Sequence, residues 1–125
     1  MTLVDSSLSI GQAAERTGLS THTLRYYERE GLMLGGVDRA SSSHRRYTEA
    51  DLTWVEFLTK LRSTAMPIAR VREYVDLVRL GDASTPDRLE LLLAHRESVI
   101  AQLDEITQSL RAIDYKIALY RKGNL

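Results

Sequence analysis

The chain has 125 residues, 43% hydrophobic and 6% aromatic, with 17 basic side chains against 17 acidic ones. That length suits one domain, or one small domain with an extension, and so much charge with so few aromatics excludes a large core. The absence of Cys excludes disulfides, thiolate metal sites, iron–sulfur clusters and thiol sensors, and fits a reducing cytosol. No apolar run approaches the roughly 18 residues of a membrane span, and the first eight residues lack a signal-peptide pattern, so no membrane partner and a cytoplasmic location are expected.

The net charge of zero is unevenly spread. Residues 16–72 carry ten bases and six acids, whereas 1–15 carry two acids and 73–80 and 81–125 are each at −1. DNA binding needs local positive potential, which the middle of the chain has.

Residues 1–8 show no periodicity and are expected to be a disordered tail. From Ser9 the spacing of Ile10, Ala13 and Ala14 predicts a short helix over about 11–17, stopped by Gly18. Ser20 is a good N-cap for a second helix, Thr21–Glu30, with Leu24 and Tyr27 on one side and Gly31 at its end. Two short helices about a Gly18-Leu19-Ser20 corner have helix-turn-helix spacing. Gly35, Gly36 and Ser41–Ser43 bracket Val37–Arg39 and His44–Tyr47, which read as a small β-hairpin wing.

Thr48 is placed to cap a third helix, with Asp51 positioned to return toward the Thr48 amide. Its apolar face is Leu52, Val55, Phe57, Leu58 and Leu61. Pro67, at a first-turn position, opens a fourth helix to about Leu80, and Gly81 ends it. Thr85-Pro86 then starts a helix with no internal Gly or Pro that can run to about Tyr120. Steps of three and four pick out Leu89, Leu92, Arg96, Val99, Leu103, Ile106, Leu110, Ile113, Ile117 and Tyr120, a seam broken only by Arg96. Such a rod is about 52 Å long at ~1.5 Å per residue, more than one small domain can cover. A fold-back hairpin is disfavoured because no turn residues interrupt the seam. Homodimerisation through a coiled coil is preferred, and periodicity leaves parallel and antiparallel pairing open.

The expected fold class is therefore mainly α: a winged helix-turn-helix DNA-binding domain of four helices and a β-hairpin wing over residues 9–80, followed by a dimerisation coiled-coil helix over 81–121 and a tail over 122–125. In such a domain the amino end of the second helix enters the major groove. Thr21, His22, Thr23 and Arg25 are then candidates for base edges or flanking phosphates, and Tyr26 for a phosphate through its hydroxyl. Arg39, Arg45 and Arg46, with Tyr47, flank the Ser-rich tip, where guanidinium groups suit the DNA backbone. Arg62 and Arg70 are further phosphate candidates. The competing reading makes Tyr26 and Tyr27 core aromatics and the arginines surface ion pairs; for Tyr27, core packing is preferred.

Several blocks together resemble one family. Ser9-Ile10-Gly11-Gln12-Ala13-Ala14, Gly18-Leu19-Ser20, Thr23-Leu24-Arg25-Tyr26-Tyr27-Glu28, Gly31-Leu32, Arg45-Arg46-Tyr47, Asp51-Leu52, Phe57, Leu61-Arg62 and Met66-Pro67-Ile68 are similar to the MerR family of bacterial transcription regulators, over roughly residues 8–121. The resemblance implies a homodimeric regulator on an inverted repeat. It also implies binding between the two promoter hexamers of an overlong spacer, where bending and untwisting the duplex lets RNA polymerase engage both. A second reading is a DNA-architectural, excisionase-like protein with no promoter role. An enzyme is not expected, because no acid/base pair, phosphate-binding loop or nucleophile constellation is visible.

The segment Trp54–Arg62, with Met66-Pro67-Ile68, Gly81-Asp82 and His95-Arg96, looks closest to the NmlR/AdhR-like, electrophile-responsive subgroup. There a reactive Cys commonly matches Lys60, so thiol sensing is out of reach here. Lys60 as a Schiff-base lysine is weighed against a solvated lysine, which is preferred. Trp54, Phe57, Lys60 and Tyr74 are the candidate pocket for a small-molecule effector, against a default of core packing. His22, His44 and His95 have no ligand-like spacing, and no metal or other cofactor is implied. With the chain stopping about five residues after the rod, no separate ligand-binding domain is expected.

Overall fold

Helix caps written into the sequence set the boundaries of the first three helices in the computed structural model, which describes residues 7–35, 38–40 and 44–123, with backbone only at 38–40, 44 and 45. Helix α1, Ile10–Thr17, starts at Ser9. Its hydroxyl accepts from the Gln12 N–H at 3.2 Å while Gln12 Oε1 accepts from the Ser9 N–H at 2.9 Å, so two otherwise orphaned donors are satisfied reciprocally. It ends at Gly18, φ 74°. Helix α2, Thr21–Arg29, starts at Ser20, whose hydroxyl accepts from the Thr23 N–H at 3.0 Å. Gly31, φ 71°, closes it, with the Leu32 N–H donating to the Tyr27 carbonyl at 2.9 Å.

Strands β1, Asp38–Ala40, and β2, His44–Arg46, pair antiparallel with Arg39 opposite Arg45. The expected strand residue Val37 and the Ser41–Ser43 tip lie outside the described residues. Directly after β2, Tyr47 and Leu8 exchange backbone hydrogen bonds of 2.7 and 2.8 Å, and the Arg46 guanidinium donates to the Ser7 hydroxyl at 3.0 Å and carbonyl at 2.8 Å. This corrects the expected tail: Ser7 and Leu8 are fixed by pairing with a segment some forty residues away, which local periodicity does not register.

Helix α3, Glu49–Ser63, opens with the expected capping box, Thr48 Oγ1 accepting from Asp51 at 3.1 Å and Asp51 accepting from Thr48 at 2.9 Å. It closes through Ala65, a non-Gly residue at φ 72°, with the Met66 N–H on the Leu61 carbonyl at 3.0 Å. Helix α4, Ile68–Arg79, follows Pro67, which caps the helix from outside instead of sitting in its first turn. After Gly81, φ 85°, a 3-10 turn at Asp82–Ser84 leads into α5, Thr85–Arg121. The buried Ser84 hydroxyl bonds the Leu77 and Gly81 carbonyls.

The chain divides between Arg88 and Leu89 into two compact units. In the first, Ala13, Leu24, Tyr47, Val55, Leu58 and Val71 are completely buried, so α1, α2, α3 and α4 and the end of β2 share one core. In the second, the α5 seam is bare: Leu103, Ile106, Leu110, Ile113 and Ile117 are 40–64% exposed. Among the described residues no helix is long and apolar enough to cross a membrane.

Candidate nucleic-acid interface

A helix-turn-helix surface depends on the corner that sets its second helix. Here Thr17 Oγ1 donates to the Ala13 carbonyl at 2.9 Å and accepts from the Leu19 N–H at 3.2 Å, and Gly18 takes the left-handed turn. The inner face of α2 is buried through Leu24 and Tyr27, with the Tyr27 hydroxyl 3.2 Å from Thr59 Oγ1. The outer face carries His22, Arg25 and Arg29, all exposed and without a partner among the described residues. Residues three and seven apart lie on one helical face, so these three form a cationic and polar stripe that begins at the helix N-terminus. Sequence reasoning placed His22 and Arg25 there. Arg29 was missed, although its spacing from Arg25 signals it.

The remaining α2 candidates are less free. Thr21 and Thr23 are half-buried, and the Thr23 hydroxyl lies 3.0 Å from Ser20 Oγ. Tyr26 is half-buried, its ring 6.0 Å from that of Tyr27 and tilted 55°.

The side chains of Arg39 and Arg45 lie outside the described residues; the backbone register makes them one cross-strand pair. Arg46 is half-buried against Ser7. Tyr47 requires a correction: it is completely buried, and its hydroxyl donates to the Glu28 carboxylate in the last turn of α2. A side chain with no exposed surface does not touch DNA. Tyr47 instead ties the strand end to α2. Of the further candidates, Arg62 Nη1 donates to the Met66 carbonyl at 2.8 Å and Arg70 pairs with Glu73.

The expected effector pocket divides in two. Trp54, Phe57 and Tyr74 do meet, with Trp54 stacked on Tyr74 at 5.9 Å and Phe57 tilted on it at 5.7 Å. Burial holds the Tyr74 hydroxyl pKa above its usual 10.0, partly opposed by the Arg88 guanidinium. Lys60 is not with them. It lines a separate depression of about 150 Å³ with Thr17, Leu19, Glu56 and Thr59. At 3.6 residues per turn, Lys60 sits roughly 120° around α3 from Trp54, which accounts for the separation.

Comparison with known proteins identifies the family of the helix-turn-helix head. The description of the MerR HTH family of regulatory proteins matches residues 8–77. An HTH-type transcriptional regulator of Haemophilus influenzae is 35% identical over 112 residues, covering 90% of this chain and 82% of that one. The transcriptional regulator AdhR of Bacillus subtilis is 38% identical over 93 residues, covering 74% and 66%. Among solved structures, HiNmlR, a MerR family regulator lacking the sensor domain and bound to promoter DNA, superposes with a TM-score of 0.87 at 32% identity, covering 94% of this chain and 88% of that one. These proteins are regulators and not enzymes. With its capped helix-turn-helix and an exposed Arg25 stripe on α2, the chain belongs to the MerR HTH family and is a DNA-binding transcriptional regulator.

Proposed function

We propose that the regulator works as a homodimer on an inverted repeat, with α2 of each subunit in the major groove and β1–β2 as a wing along the phosphates. The observation that carries this is the bare seam of α5. A helix of 37 residues, about 55 Å at ~1.5 Å per residue, leaves five consecutive seam positions from Leu103 to Ile117 in water. Apolar side chains at alternating three- and four-residue steps are covered when a second such helix packs against them. A second copy supplies a second Arg25 stripe related to the first by a twofold axis, so the target has dyad symmetry.

The likeness to a family member bound to promoter DNA supports a promoter target. On an overlong spacer the dimer bends and untwists the duplex so that RNA polymerase reaches both hexamers. Smooth bending of such a site costs about 1–6 kcal/mol, offset by phosphate contacts from both subunits. Fragments of the source genome selected by the full chain and footprinted test this. The reading requires protection centred between two promoter hexamers with a lengthened spacer. Protection over spacers of normal length contradicts the distortion mechanism and indicates repression; protection away from promoters favours an architectural role.

A further inference from the structure

The link between α2 and β1 is held by side chains from outside it at every residue from Glu30 to Met33. The Arg72 guanidinium pairs with the Glu30 carboxylate. Arg79 Nη2 donates to the Gly31 carbonyl at 2.7 Å and to the Met33 carbonyl. Trp54 Nε1 donates to the Leu32 carbonyl, between those two, at 2.8 Å. Arg72 and Arg79 are two turns apart and share one face of α4. The Leu32 and Met33 side chains are buried beneath the same link. Surface loops ordinarily leave their carbonyls to water and move; here three successive carbonyls are fixed by donors from α3 and α4.

We propose that Arg79 and Trp54 are positioning residues for sequence discrimination: they set the offset between the α2 stripe and β1–β2 so that both meet DNA in one register. The proposal rests on α2 as the reading helix. Base contacts specify and phosphate contacts position, and a preorganised pair of surfaces engages its target without an ordering penalty. With the link released, Tyr47 still ties the end of β2 to α2, but the segment that leads from α2 toward β1 is no longer held, so each surface still meets phosphates while the two lose their common register.

The test uses the full chain with Arg79→Met and Trp54→Phe. Trp54→Phe deletes the donor, keeps a ring and serves if Arg79→Met does not fold. The probes are the tightest duplex that the parent chain selects from a random pool and a scrambled duplex of equal length. With circular dichroism unchanged, affinity for the selected duplex should fall about tenfold while affinity for the scrambled one stays within about twofold, and Arg79→Lys should recover part of the loss. Unchanged discrimination in both variants overturns the proposal. So does an equal loss on both probes with a shallower salt dependence, because Arg79 would then be a phosphate contact itself. Arg25→Ala separates the two levels. If it abolishes discrimination while the link variants do not, the link proposal alone fails; if it leaves discrimination intact, α2 is not the reader and the proposal falls with it.

Discussion

Ile106→Asp puts a charge at the middle of the α5 seam. Ile106 is 64% exposed, and burying a whole Ile side chain is worth about 1.5–3 kcal/mol, so the uncovered part can contribute ~1–2 kcal/mol per subunit. Twofold symmetry doubles every substitution, for a loss of about 2–4 kcal/mol and a dimer dissociation constant raised ~30- to 1000-fold. The two carboxylates, desolvated in an apolar seam, add to that loss. The helix itself should survive, because Asp costs an interior helical site under about 1 kcal/mol. Sedimentation equilibrium should give monomers for Ile106→Asp and dimers for Ala101→Asp, where the charge enters the exposed face of α5 off the seam. An Ile106→Asp chain that sediments as a dimer at the parent's concentration would refute the interface.

Arg25→Ala should weaken binding to the selected operator by about 1–3 kcal/mol and relax preference at one position per half-site, read by competition among single-base operator variants. Arg45→Ala should weaken binding to all sequences alike and, with two copies per dimer, reduce the log–log salt slope by about 2; an unchanged slope removes it from the phosphate contacts. Ala65→Gly should stabilise the chain by about 0.5–1 kcal/mol in urea unfolding, because a left-handed Ala is penalised by ~1–2 kcal/mol and Gly returns part of that as lost backbone entropy. Tyr74, its folded pKa raised by burial, favours the folded state below the ordinary phenol value and loses that contribution as pH rises through its folded pKa. Ultraviolet titration of Tyr74→Phe should lack one phenol that ionises above the ordinary value, and its unfolding above pH 10.0 should be shifted to higher pH.

Local chemistry made much of the head legible. Ser20 and Thr48 announce helix starts because a hydroxyl accepting from the next turn is a short-range event, and Gly18 and Gly31 announce ends because only left-handed backbone continues there. The bare α5 seam was visible because the step of three and four persists without a breaker. What was missed depends on distance along the chain. The Leu8–Tyr47 bridge and the Arg79 and Trp54 bonds to loop carbonyls span 22 to 48 residues and leave no periodic trace. Tyr47 was misassigned because its neighbours Arg45 and Arg46 suggested a DNA-facing strand, whereas alternation past β2 turns its ring into the core. Ala65 was missed because nothing in an Ala marks left-handed backbone.

The proposed function stands on two identical heads meeting one duplex across a dyad. Its most direct test is the stoichiometry of the complex on the tightest selected duplex, by sedimentation equilibrium, combined with hydroxyl-radical footprinting. Two chains per duplex, with two equal protections related by a dyad, are predicted. One chain per duplex, or a single unsymmetrical protection, would contradict it.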